Sequence, residues 1–204
     1  MRHGAGSIVG IGVLADGTTS VNGVTTVKTI RGKFMETSRR DNLSIAYGCM
    51  IENALGSNLA DKLVGNSADN WLSGNAGDDQ LNGLGGNDTM EGGFGADRSV
   101  GGAGRDLFVY SRAGQSGMDS RRDRIIDFVS GVDRLDLRRI DANTRKSGQQ
   151  RFRFVAGAPL AAAGQLAYDR STGILAGELD GKGRADFQIE LTSKPALLAS
   201  DLQL

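Results

Sequence analysis

The chain holds very little of what usually staples or seeds a small fold. It has one cysteine, two prolines, one histidine and only 5% aromatic residues in 204. One cysteine, Cys49, excludes an internal disulfide. Two prolines exclude collagen and proline-rich linkers. One histidine, His3, rules out a three-histidine zinc site and leaves a Ser–His–Asp or Cys–His arrangement no other base. No GxSxG occurs, and Cys49 beside Met50 reads as a small buried residue rather than a nucleophile. No apolar run reaches the length of a membrane span. The opening MRHGAGSIVGIGVLADG is too broken by glycine to read as a secretory signal.

Charge of one sign is also missing overall: 24 basic and 24 acidic side chains cancel. The cancellation is uneven along the chain. Residues 56–109 carry 8 acidic against 3 basic residues, a net of −5. Residues 1–55 (4 acidic, 6 basic) and 110–204 (12 acidic, 15 basic) are net +2 and +3. An acidic middle expects cations as partner, not nucleic acid. The arginines of 121–153 alternate with acids and apolar residues, as on a solvated strand face.

What the chain has in excess is glycine, 31 residues, and it falls on a beat. Cut every nine residues from Gly56, the sequence reads GSNLADKLV, GNSADNWLS, GNAGDDQLN, GLGGNDTME, GGFGADRSV and GGAGRDLFV. Place one is always Gly. Place six is Asp61, Asn70, Asp79, Asp88, Asp97 and Asp106. Place eight is Leu63, Leu72, Leu81, Met90, Ser99 and Phe108. Places one to six are turn-formers, where glycine permits left-handed backbone and close approach of carbonyls. Places seven to nine fit a short strand whose middle side chain points inward. Ser99 is then the one polar side chain in an apolar row.

Two units make one turn of a flattened parallel coil, with equivalent positions stacked about 4.8 Å apart. Stacking puts sixth places 18 residues apart into two columns: Asp61, Asp79, Asp97 and Asn70, Asp88, Asp106. Rows of carboxylates at that spacing repel, so a counter-charge is expected between turns. Ca²⁺, which takes six to eight oxygens at flexible geometry, suits such a row better than octahedral Mg²⁺. Counting back 18 from Asn70 lands on Glu52, which would close the first turn with the Met50 carbonyl beside it. Pairing along both columns gives up to about five ion slots, those flanked by Asn70 being the weaker.

The nonads follow the pattern GGxGxDxUx, with U apolar, and resemble the RTX calcium-binding repeat. The flanks NLSIAYGCMIENALGSNLADKLVGN (42–66), DRIIDFVSGVDRLDL (123–137) and GRADFQIEL (183–191), with the terminal DLQL, resemble the C-terminal module of serralysin-type secreted metalloproteases of the peptidase M10 family. The resemblance implies ligation by carbonyls of places two and four and by the sixth-place side chain. That set is Ser57, Leu59 and Asp61; Asn66, Ala68 and Asn70; Asn75, Gly77 and Asp79; Leu84, Gly86 and Asp88; Gly93, Gly95 and Asp97; and Gly102, Gly104 and Asp106. The family also uses a glutamate at the position of Glu52. Asp119, Asp123 and Asp127 are candidates to close the last turn, with surface strand residues as the equal alternative.

The fold expected is all-β: a parallel β-roll over 42–109, capped by a β-sandwich-like or coil-continuing region over 110–204. KPALLASDL is expected to form one short helix. Residues 1–41 are a segment of their own, with a hairpin turn at Asn22–Gly23. The function expected is a non-catalytic calcium-binding module that folds outside the cell. The resemblance adds type I secretion machinery as partner, read from an uncleaved carboxy-terminal signal. The protease motif HExxHxxGxxH is absent from the sequence. The alternatives are the C-terminal piece of a serralysin whose protease domain is separately encoded, and an extracellular adhesin-like module.

Overall fold

The structure is a computed structural model that describes residues 53–204 and four short strands before them. In chain order the strands are β1 (Gly12–Val13), β2 (Thr18–Val21), β3 (Val24–Lys28), β4 (Leu43–Ser44), β5 (Asn53–Leu55), β6 (Lys62–Val64), β7 (Trp71–Ala76), β8 (Gln80–Asn82) and β9 (Thr89–Phe94). They continue as β10 (Arg98–Val100), β11 (Leu107–Val109), β12 (Asp123–Ile125), β13 (Arg134–Asp136), β14 (Arg153–Phe154), β15 (Gln165–Asp169), β16 (Ile174–Glu178), β17 (Phe187–Leu191) and β18 (Leu202–Gln203).

The nine-residue beat becomes an alternation between two sheets. Successive strands go to opposite sheets, so each pairs in parallel with the strand 18 residues away. Lys62 lies opposite Gln80, Gln80 opposite Arg98, and Trp71 opposite Thr89. One sheet has the order β14-β15-β16-β17-β12-β10-β8-β6-β4, the other β18-β13-β11-β9-β7-β5. Strands of three residues suffice because each contributes one inward side chain to a core between the sheets.

Those inward side chains form two ladders. One is Ala54, Leu72, Met90, Phe108, Leu135 and Leu202; the other is Leu63, Leu81, Ser99, Ile125 and Leu191. All are buried, Ser99 included. Lys62, Gln80 and Arg98, one place earlier, are exposed, as strand alternation requires.

The roll does not stop where the nonads stop. β12 and β13 add one further parallel strand to each sheet, and β18 adds another beside β13. Only then does the first sheet turn antiparallel, through β17, β16 and β15. The cap is thus the same sheet extended, which covers the last turn and its strand edge.

The helix expected in KPALLASDL is not there. The segment holds one 3-10 turn, Ala199–Asp201, in which the Asp201 N–H donates to the Leu198 carbonyl. The reason is register: Leu202 must lie beside Leu135 in β18, so the chain straightens at once. Asp201 is buried and fixes the turn, accepting from Ser130 Oγ, the Gly131 N–H and the Leu198 N–H.

Upstream, β2 and β3 pair antiparallel with Val21 opposite Val24. That leaves two residues between them, the number a tight hairpin needs. Asn22 and Gly23 themselves, His3, Cys49, Met50 and Glu52 lie outside the described residues.

Candidate metal centre

Each sixth-place side chain occupies the turn between two strands, where the chain passes from one sheet to the other. Asp61, Asn70, Asp79, Asp88, Asp97 and Asp106 are all buried. They are tied together along the columns by one repeated bond. The Asp61 N–H donates to Asp79 Oδ1 (2.7 Å), Asp79 to Asp97 Oδ1 (2.8 Å), Asn70 to Asp88 Oδ1 (2.7 Å) and Asp88 to Asp106 Oδ1 (2.9 Å). The 18-residue pairing read from the sequence is therefore a physical contact.

The second carboxylate oxygen behaves differently along the roll. In the first unit Asp61 Oδ2 accepts from the Ser57 N–H (2.6 Å) and Ser57 Oγ (2.9 Å). In the second, Asn70 Oδ1 accepts from the Asn66 N–H (2.8 Å). From the third unit on, Oδ2 of Asp79, Asp88, Asp97 and Asp106 is enclosed and has no hydrogen-bond partner. A buried, unanswered carboxylate oxygen is costly, and a buried charge must be paired, protonated or metal-bound.

The electrostatics say the same. Burial pushes Asp79 up to about 8, Asp88 to about 7 and Asp97 to about 6, with neighbouring carboxylates adding to the rise. Asp106 is raised too, again chiefly by burial. Without a cation, burial disfavours the charged form of all four.

Glycine serves the site in two distinct ways. At place one it makes room. A Cβ on Gly74, Gly83, Gly92 or Gly101 would sit 2.0–2.3 Å from Oδ2 of the aspartate of its own unit. None of these four has a positive φ, so close approach rather than left-handed backbone fixes place one. At places two and four the backbone is left-handed. Gly77, Gly86, Gly93, Gly95, Gly102 and Gly104 have φ between 97° and 145°, and Asn75 and Leu84 adopt 78° and 74°. There the carbonyls stack: a Cβ on Gly95 would lie 2.0 Å from the Gly77 oxygen, and one on Gly104 1.8 Å from the Gly86 oxygen. Ser57, Leu59, Asn66 and Ala68 lack the left-handed turn, so the first two units differ in backbone as well as in hydrogen bonding.

Both columns run past the repeats. Asp123 Oδ1 accepts from the Asp97 N–H (3.0 Å), and Asp133 Oδ1 from the Asp106 N–H (3.0 Å). Burial pushes Asp123 up to about 8, beside the Tyr110 hydroxyl that donates to it, and raises Asp133 as well. Asp127 caps the last unit, accepting from the Gly101 and Gly102 N–H groups. Asp119 stands apart: it is solvent-exposed and pairs with Arg122. Asp133 went unnoticed in the sequence, though a signal exists. DRS at 97–99, DRI at 123–125 and DRL at 133–135 share one phase, aspartate two places before the inward side chain.

A further ladder lies outside the carboxylate columns. Asp69 accepts from the Asn87 N–H (2.6 Å), Asp78 from Ala96 (2.9 Å), and the Asn87 side chain from Arg105 (2.9 Å). Fifth-place side chains thus lock one turn to the next from the solvent side.

The family described as Peptidase M10 serralysin C terminal matches residues 36–203. Among solved structures, the AlgE6R3 subunit of the Azotobacter vinelandii mannuronan C5-epimerase superposes with a TM-score of 0.53 at 26% identity, over 72% of this chain and 79% of that one. The AlgE6R2 subunit of the same epimerase gives 0.49 at 26% identity, over 72% and 89%. No curated protein matches the chain. RTX β-roll modules of this kind are non-catalytic and bind Ca²⁺. Among the described residues no helix is long and apolar enough to cross a membrane.

Proposed function

The chain belongs to the Peptidase M10 serralysin C-terminal family, and from that premise we propose that it is a calcium-dependent folding module exported by type I secretion and active outside the cell. The observation that carries this reading is the set of four enclosed, partnerless Oδ2 atoms on Asp79, Asp88, Asp97 and Asp106. These oxygens, with the stacked carbonyls of places two and four, are the donor set a hard divalent ion takes. The first two units contribute through Ser57, Leu59, Asp61, Asn66, Ala68 and Asn70, and Glu52 stands as the sequence's candidate for the first turn. Asp123 and Asp133 extend the same columns beyond the five slots counted from the nonads.

Where calcium is scarce, repulsion and desolvation along the columns keep residues 56–109 loose, which suits passage through an export channel. Outside, millimolar calcium exceeds dissociation constants of about 10⁻⁴–10⁻³ M typical of extracellular modules, and binding free energy becomes folding free energy. The module itself carries out no chemistry. Limited proteolysis of the full chain tests the reading. Cleavage between 56 and 109 is expected in chelator and suppressed in millimolar calcium; equal cleavage in both would sink it.

The family match favours one second reading: the module serves a serralysin-like protease encoded separately. An adjacent reading frame with HExxHxxGxxH would support it, and a neighbourhood without one would remove it.

A further inference from the structure

A second group of carboxylates lies well outside the roll's columns, in the hairpin that joins β16 to β17. Glu178 is the last residue of β16, Asp180 follows two residues later, and Asp186 immediately precedes β17. One carboxylate oxygen from each lies within 4.8 Å of the other two. Glu178 and Asp180 are within hydrogen-bonding reach of each other. Two carboxylates approach so closely only across a proton or a cation.

Glu178 supplies the independent observation. Its side chain has 0% exposure. Its Oε1 accepts the Lys182 N–H at 2.9 Å, while Oε2 is enclosed with no hydrogen-bond partner. An anion so buried calls for a positive charge within reach. Lys182 does not answer it: its ammonium, about half exposed, pairs with Asp180 instead, and the Arg145 guanidinium, which lies against Gly181 of the same loop, forms no ion pair with Glu178. Asp186 is held in place by the loop, its Oδ2 accepting from the Leu179 N–H (2.6 Å) and the Asp180 N–H (3.2 Å). The strand end is anchored as well, since the Gly164 N–H donates to the Glu178 carbonyl and the Thr144 N–H to that of Leu179.

We propose that the β16–β17 hairpin is a separate cation site that binds calcium through Glu178, Asp180 and Asp186. Three carboxylates offer only hard oxygen donors, which select calcium over softer metals. Lys182 competes with the ion for Asp180 and keeps the site weak. The ion would clamp the antiparallel end of the long sheet, independently of the roll's columns.

Isothermal titration of the chelator-treated full chain with calcium alone tests the site, using wild type, the double variant E178Q/D186N, and K182N. The double variant should bind one ion fewer than wild type with the strand signal in saturating calcium unchanged. K182N should bind that ion about fivefold or more tighter, because the competing ammonium is gone. An unchanged ion count in E178Q/D186N would overturn the proposal. So would a K182N chain that loses stability with and without calcium while its affinity stays the same, the result expected if Lys182 is itself the cation. If E178Q/D186N fails to fold, hydrogen exchange of residues 178–187 in wild type and K182N decides. Slowing by calcium, at lower calcium in K182N, supports the site; exchange indifferent to calcium overturns it. Failure of the roll as a calcium binder would instead leave one ion bound to wild type and none to the double variant.

Discussion

Two aspartates of the same type, 18 residues apart, carry unequal burdens. Asp61 has one column neighbour among the described residues, Asp79, and its Oδ2 is already satisfied by Ser57. Asp79 stands between Asp61 and Asp97, and its Oδ2 has no protein partner. Substituting Asp79→Asn therefore weakens two slots and Asp61→Asn one. With about 1.5–3 kcal/mol per charge-assisted contact as the scale, Asp79→Asn should raise the calcium midpoint of folding about tenfold or more beyond Asp61→Asn. Midpoints from calcium titrations of the two variants check this; equal midpoints would contradict the 18-residue pairing.

At the level of the nine-residue unit, glycine at place one is a matter of space. Gly83 and Gly85 share one unit, and neither has a positive φ. A Cβ on Gly83 would meet Asp88 Oδ2 at 2.0 Å and the Gly101 carbonyl at 2.6 Å, whereas one on Gly85 finds nothing nearer than 3.7 Å. Gly83→Ala should cost about 1–3 kcal/mol, the usual range for forced overpacking, and Gly85→Ala close to nothing. Chemical denaturation in saturating calcium separates the two. The unit also shows what sequence can and cannot disclose. Place six and place eight were legible because each must match the residue 18 positions away. The purpose of place one was not: a glycine kept for lack of room reads the same as one kept for its φ. Asp133 escaped because 27 residues separate it from Asp106, three beats where one turn of the roll takes two, so the loop between them puts it out of step with the 18-residue pairing. The helix expected near the end failed because a strand register downstream overrode a local preference. Ser99 was legible, and its hydroxyl sits between Leu81 and Ile125 in an otherwise apolar ladder.

For the whole molecule, the ion-free roll is a stack of carboxyls that keep their protons to higher pH than free ones do. The folded values of Asp79, Asp88, Asp97 and Asp123 lie near 8, 7, 6 and 8, all above the ordinary 3.8. A carboxyl raised on folding stabilises the fold fully below its unfolded value, and that contribution is lost as pH climbs through the folded value. In chelator, then, the thermal midpoint should fall between about pH 4 and 8. In saturating calcium the ion replaces the protons, and the loss over that range should vanish or reverse. Thermal unfolding at several pH values, with and without calcium, reads out both limbs.

On the proposed reading a divalent ion, and not the chain alone, holds the carboxylate columns together. The measurement that decides it is far-ultraviolet circular dichroism of the full chain at pH 8.5, titrated with calcium from a chelated start. The strand signal should be weak in chelator, rise cooperatively with calcium, and fall again when chelator is restored. A strand spectrum of equal strength before calcium is added would contradict it.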